Sequence, residues 1–285
     1  MFAIIGIVVV FAAVIGGYLL EGGNLHILFQ PVELLIIGGA ATGAFALSST
    51  PRVIGLVLKS LASILAPKSQ NKANYLELLS LLYQLFSKIR KEGLVSIESD
   101  IETPDKSPVF RKFPSVLANH HVLNFICDNL KVIITANVPP YELDNLMDLE
   151  IDTHHHEALI PAHSISKIAD GLPALGIVAA VLGVVLTMGK ISEPPAVLGH
   201  SIGAALVGTF LGVLLSYGFV GPMATNLEHQ AEEAAGPLNV IKVALVAFVG
   251  GSAPQMAVEF GRRAVPDKEK PTFNELESTV RSKGK

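Results

Sequence analysis

The stretch from Phe2 to Leu20 holds no charged side chain, and about 20 apolar residues in a helix are what it takes to cross the hydrocarbon core of a bilayer. Three further blocks follow the same rule: Val32 to Ser49, Gly171 to Gly189 and Ser201 to Val220. Between the second and third blocks lies a long stretch of ordinary mixed sequence. Only 16% of the residues are charged, against about a quarter in an average soluble domain, so several spans plus a water-facing part is the composition's natural reading. Phe2–Leu20 begins at Met1 without a basic lead-in, which favours a retained span over a cleaved signal peptide.

The linkers sort the spans into two hairpins. Glu21 to Gln30 joins the first pair, and Lys190, Glu193, Pro194 and Pro195 lie in the turn of the second. Arg52 and Lys59 follow the second span and Lys167 precedes the third, while the two turns contain only Lys190 as a basic residue. By the positive-inside bias, the middle segment and both termini are expected to be cytoplasmic. The pattern predicts an all-α membrane protein with four transmembrane helices and a large helical cytoplasmic domain. Its expected parts are a hairpin at 1–50, the cytoplasmic domain at 51–167, a second hairpin at 168–222, and a cytoplasmic helical segment with a tail at 223–285.

Within the middle segment, Tyr75 to Phe86 spaces its apolar residues over a wide helical face. Leu238 to Val249 is too short to span and carries Lys242, so it reads as a buried or amphipathic helix of the cytoplasmic part. The polar tail from Val265 to Lys285 reads as mobile.

Enzymatic and nucleic-acid functions find little support. There is no Gly-rich phosphate loop, nucleophile elbow or H-E-x-x-H helix. A net charge of −4, with no clustered Lys and Arg, argues against a nucleic-acid surface. The single cysteine, Cys127, reads as a packed thiol. The run His154-His155-His156, with Asp152, Glu157 and His163 nearby, offers metal-ligand atoms. Consecutive residues on a helix point about 100° apart, so a surface or structural role is expected there and no metal or other cofactor.

The spans themselves are built for close packing. Ala204, Gly208, Gly212 and Ser216 form a four-residue stripe in the fourth, Gly176, Ala180 and Val184 in the third, and Gly39 and Gly43 in the second. No ionisable group lies near the middle of any span. Glu33 and Asp170 sit at span ends, where they are expected to reach water, so a titrating carboxylate for an ion path must come mainly from a partner. Thr209 is a lone hydroxyl in an apolar helix, and an intrahelical bond would satisfy it. Pro173 and Pro222, near the cytoplasmic ends of the third and fourth spans, each free a backbone carbonyl and mark either a hinge or a helix end.

At this point the residues resemble a family, the MotA proteins of flagellar stators. The best match is Ala205-Leu-Val-Gly-Thr209-Phe-Leu-Gly-Val-Leu214 with Pro222 following, joined by Asp170-Gly-Leu-Pro173-Ala-Leu-Gly176 and by the patch Arg90-Lys-Glu-Gly-Leu-Val-Ser-Ile-Glu98. The resemblance implies a multi-pass protein of the bacterial inner membrane, with copies arranged in a ring around a dimer of MotB-type chains. Those chains would supply the ion-binding aspartate and an outer domain that grips peptidoglycan. It implies further that Arg90 and Glu98 meet complementary charges on the rotor protein FliG, that Pro173 and Pro222 couple protonation to movement, and that Thr209 lines the ion path. Sodium-type members of the family tend to add a second hydroxyl in the third span, and Ala179-Ala180-Val181-Leu182 offers none facing Thr209, so the resemblance implies protons over sodium, with Ala180 beside the path. A TolQ or ExbB-type energising subunit, a non-conducting scaffold and a small-solute transporter are the rivals. The first normally has one N-terminal span, and the last would need inverted repeats that the sequence does not show.

Overall fold

The structure, a computed structural model, describes residues 2–65, 70–136 and 138–283. Among these residues every regular element is helical and no strand forms, as the apolar blocks and their periodicity predict. In chain order the α-helices are α1 (Phe2–Leu20), α2 (Leu25–Leu28), α3 (Pro31–Ser48), α4 (Pro51–Leu65), α5 (Lys72–Glu92), α6 (Glu98–Glu102), α7 (Pro114–Leu117) and α8 (His120–Ala136). They continue with α9 (Pro140–Met188), α10 (Pro195–Val213), α11 (Gly221–Val249), α12 (Pro254–Ala264) and α13 (Phe273–Lys283). A π-helical segment, Leu214–Val220, joins α10 to α11 without a break. Four helices are long and apolar enough to cross a membrane: Phe2–Leu20, Leu25–Ser48, Pro140–Met188 and Pro195–Val249.

The chain packs into two compact units, residues 1–68 with 158–230 and residues 69–157 with 231–285. In the first unit the spans bury small patches against one another. Ile37 of α3 is fully enclosed with Leu172 and Ala179 of α9. Phe11 of α1 meets Phe219 of the π segment with ring centroids 4.8 Å apart. The short helix α4 turns Val57 and Ile64 onto Ala162, Ile165, Ala224 and Leu227. This helix belongs to the first compact unit and packs on parts of α9 and α11 that lie beyond the apolar blocks. Most apolar side chains of this unit face outward, among them Leu35 and Leu186 at 74% and 73% exposure, the inverse of a water-soluble domain.

The second unit is the opposite. Asn71 caps α5, its side-chain oxygen accepting from Asn74 N at 2.9 Å. From there Leu78, Leu79, Leu81, Leu82, Leu85 and Phe86 are driven into a core shared with Leu238, Ile241 and Leu245 of α11. Phe86 stacks on Phe248 at 4.3 Å. Leu238–Val249 is thus a buried helix, as its length and Lys242 predict, and Lys242 pairs with Asp144 and Asp148 at 3.2 and 2.7 Å. Burial pushes the Cys127 thiol up to about 11, the reverse of an activated nucleophile.

The tail departs from expectation. Rather than a mobile strand of polar residues, it forms α13, with Val265 and Leu276 buried in the core and Lys72 bridging to Glu275 at 3.1 Å. A few apolar residues spaced at helical intervals are enough to dock it, and the polar composition hid them. Gly284 and Lys285, included in that expectation, lie outside the described residues.

Candidate functional site

Glycine lets α9 and α10 meet at backbone distance. A Cβ added to Gly212 would lie 2.6 Å from Leu172 O and 2.8 Å from the Gly176 Cα, and one on Gly176 would lie 2.7 Å from Gly208 O. Any side chain there must push the helices apart. At the far end of the contact a Cβ added to Gly183 would lie 2.7 Å from the Ala205 Cβ. The stripe is therefore Ala205, Gly208, Gly212 and Ser216 against Gly176, Ala180 and Gly183. Ala204 is only half-buried and Val184 is exposed. A Cβ added at Gly39 or Gly43 of α3 would meet nothing within 4 Å among the described residues, so the packing expected of them is not made there.

Ala180 is buried, and its backbone N stands 3.0 Å from where a Gly208 Cβ would be. Thr209 follows Gly208 on the next position, half-buried. The intrahelical bond expected of Thr209 does not form. Thr42 and Thr187 donate to the carbonyls of Gly38 and Gly183 at 2.7 and 2.8 Å, whereas the Thr209 hydroxyl has no hydrogen-bond partner among the described residues and stays available to another chain.

Glu33 corrects the sequence reading. It does not reach water: it is 9% exposed, and its Oε2 is buried with no hydrogen-bond partner. The carboxylate is folded into the gap that glycine leaves, with Oε2 2.9 Å from a Cβ position on Gly208 and Oε1 3.6 Å from one on Gly183. A residue at the first turn of α3 looks interfacial in a linear sequence, and only the missing Cβ atoms on two other helices let it bend inward. The signal available beforehand was its company, an acidic residue on a glycine-bearing helix beside two more. Asp170 behaves as expected, exposed on a cleft of about 400 Å3 that His163, Tyr217, Pro222 and Glu228 also border.

Neither proline ends a helix. Pro173 lies inside α9, and Pro222 lies two residues after the π segment in an uninterrupted helix, so the helix-end alternative falls away. Each withholds an N–H from the carbonyl one turn earlier. Sequence reading did not identify Ser216 as a partner for either. This residue is 1% exposed, and its hydroxyl donates to Ala169 O at 2.7 Å, the carbonyl that Pro173 leaves open.

In the second unit, α5 stops at Gly93, whose φ of +88° only glycine adopts without strain, and Gly93 N donates back to Ile89 O. The chain reverses through a tight turn into α6. Lys88 Nζ reaches Asp100 Oδ2 at 2.8 Å, and Ser107 Oγ donates to Asp100 Oδ1 at 2.6 Å. Asp100 is 3% exposed, so this pairing ties the end of α5 to α6 from inside. Arg90 and Glu98 are left on the two arms of the reversal, both exposed and with no ion pair among the described residues. Leu94 and Val95, 36% and 69% exposed, stand at the tip between them.

Among the described residues no three His, Cys, Asp or Glu side chains gather as metal ligands. His154 stands edge-on to His121 at 4.7 Å. Burial, with help from His121 and His155, holds its imidazole below the ordinary value of 6.5, against an opposing pull from Glu157.

Two family profiles match the chain, "Motility protein A N-terminal" over residues 4–93 and "MotA/TolQ/ExbB proton channel family" over 117–238. The chain is similar to motility protein A of Salmonella typhimurium, 44% identical over 282 residues that cover 99% of this chain and 96% of that one. Motility protein A of Escherichia coli is 45% identical with the same coverage, and chemotaxis protein LafT of Vibrio parahaemolyticus is 33% identical over 96% of each chain. In fold it matches the structure of C. jejuni MotAB at a TM-score of 0.78, with 18% identity over 95% of this chain and 98% of that one. The flagellar MotAB stator complex from Bacillus subtilis gives 0.69, with 22% identity over 90% and 92%.

Proposed function

Because the chain belongs to the MotA family of motility proteins, within the wider MotA/TolQ/ExbB proton channel family, we propose that it carries protons along α9 and α10 and turns their flow into torque through the Arg90–Glu98 reversal. It is a stator subunit of the bacterial flagellar motor and a multi-pass protein of the inner membrane. The match of its first two spans to the motility profile favours this reading over a TolQ or ExbB-type subunit.

The observation that carries the proposal is the joint state of Thr209 and Glu33: a free hydroxyl and an unpartnered buried carboxylate on either side of Gly208. Ionisable and polar groups left open in a membrane interior mark ion pathways. A MotB-type chain supplies the aspartate that binds the proton, close to Thr209 and Ala180. Glu33, in the outer part of the spans, stands on the entry side of it. The middle segment and both termini face the cytoplasm, where the bordering Arg52, Lys59 and Lys167 lie.

Other copies of the chain complete a ring around the MotB-type helices, covering the outward apolar faces and the open sides of Gly39 and Gly43 together with lipid. Arg90 and Glu98 meet complementary charges on FliG. Pro173 and Pro222 couple the proton step to the second unit's position. Binding and release of a proton change the charge at the centre of the ring, and two packings of the surrounding helices answer to that change differently. No catalytic step and no nucleic-acid contact is assigned.

The test is cytoplasmic pH after an outside acid pulse, in cells expressing the chain with a plug-deleted MotB-type partner. Acidification is expected with the partner's carboxylate intact and lost when that carboxylate becomes Asn, with Glu33→Gln slowing it. Equal pH traces for the intact and Asn partners, at normal expression and assembly, would overturn the proton path.

A further inference from the structure

Pro173 and Pro222 lie on different helices, and nothing in the covalent chain makes them act together. Residue 216 fills the defect that Pro173 creates and holds the turn that leads directly into Pro222. Its hydroxyl donates at 2.7 Å to Ala169 O, the acceptor that Pro173 cannot serve. Its own carbonyl accepts Gly221 N–H from five residues on, closing the last wide turn before Pro222. Both partners of the side-chain bond are buried, Ser216 at 1% and Ala169 at 4% exposure, on the wall of the cleft that Asp170 and Pro222 also border. The turn has little slack: a Cβ on Gly221 would lie 3.0 Å from Ser216 O.

We propose that Ser216 is the positioning residue that joins the two prolines into one coupling element, with the Ser216–Ala169 bond as the part that is remade when α9 and the π segment shift. The proposal rests on the stator reading for what the shift accomplishes, though the bond itself does not depend on it. An extra residue per turn lets the π segment change its register against a neighbouring helix without breaking the chain's own ladder. A single hydroxyl between the helices gives that movement two distinct states, bond made and bond broken. Leaving both buried groups unpaired costs free energy, which separates the two states. Without Ser216 the Ala169 carbonyl that Pro173 leaves open has no side-chain partner on the π segment, and a rearrangement at Pro173 has no polar link to the turn before Pro222.

The experiment uses the full-length chain with its MotB-type partner and four variants: Ser216→Ala, Ser216→Thr, Pro173→Ala and the Pro173→Ala, Ser216→Ala pair. Pro173→Ala restores an N–H for Ala169 O, so the hydroxyl becomes redundant. Ser216→Ala is expected to lower the melting temperature of the purified complex by about 2–4 °C in the native background, Ser216→Thr to recover most of that loss, and the pair to melt with Pro173→Ala alone. Equal losses in the two backgrounds would overturn the Ser216–Ala169 link. In cells, Ser216→Ala should cut stall torque several-fold while proton entry after an acid pulse stays within about twofold of native. Native torque in that variant would overturn the coupling role. Failure of the unmutated chain to pass protons or support torque would instead defeat the stator reading, leaving the melting comparison intact.

Discussion

The two units of this chain solve opposite problems with the same secondary structure. Around 158–230 and the first hairpin, cohesion comes from backbone approaching backbone: Gly176, Gly208 and Gly212 supply contacts by having no side chain. Around 69–157 and 231–285, cohesion comes from bulk, with Phe86, Phe110, Phe113 and Phe125 fully enclosed among leucines. Where the surroundings are apolar there is no hydrophobic gain in hiding a leucine, so fit and single hydrogen bonds decide how helices meet. Where the surroundings are water, burial of large side chains dominates at about 25 cal/mol per Å2. The first kind of interface is easily altered by one atom, and the second tolerates loss of a surface charge.

Substitution at Gly212 puts the greatest strain on this contrast. Gly212→Leu places side-chain atoms where Leu172 O and the Gly176 Cα now stand at 2.6 and 2.8 Å from a Cβ, and a backbone cannot rotate aside as a flexible side chain does. Motility should be abolished and the complex with the MotB-type partner lost on purification. A leucine placed at Gly55, where nothing lies within 4 Å of a Cβ, should leave assembly intact. Normal assembly of Gly212→Leu would mean that the α9–α10 contact is not held by close approach.

The contrast also explains what could be read in advance. The four apolar blocks stood out because a span is a long uncharged run, and α5 stood out because Tyr75 to Phe86 repeats at helical spacing. The glycine stripes are visible in the sequence, but their facing depends on a crossing angle that spacing does not encode, so a four-residue period includes Ala204 and Val184 where the contact is made by Ala205 and Gly183. Glu33 and Ser216 were not legible. Each depends on an atom from another helix, the missing Cβ of Gly208 for one and the Ala169 carbonyl for the other. The π segment left no mark either, since Leu214 to Val220 reads as ordinary apolar helix. α13 was missed because Leu276 anchors a helix that is otherwise polar.

A smaller effect separates holding from pushing within the second unit. Lys88→Ala leaves the Asp100 carboxylate buried with only Ser107 for company, and removing one partner of such a pair costs about 3 kcal/mol. Arg90→Ala, two residues on and exposed, should cost less than about 0.5 kcal/mol. Torque should fall in both, but through different routes: the melting temperature drops in the first and not in the second, and a charge reversal on FliG rescues only Arg90→Glu. Equal melting of Lys88→Ala and the native protein would show that the Lys88–Asp100 pair does not hold α5 to α6.

The smallest effect concerns acid. His154 is held below 6.5 in the folded chain chiefly by burial, with His121 and His155 adding to it and Glu157 opposing, whereas the unfolded chain titrates near that ordinary value. Between the two values the unfolded state binds more protons, so stability is fully present above about 6.5 and falls as the pH drops toward the lowered value. His154→Gln removes the titration while keeping a polar side chain of similar size. The native protein should lose on the order of 1–3 °C more of its melting temperature than the variant between pH 7.5 and 5.5, read on the signal of the second unit. An identical acid loss in the two proteins would place the sensitive group elsewhere, while a larger loss in the variant would mean that the imidazole is stabilised in its charged form and that the burial of this helix face is less complete than the His121 contact implies.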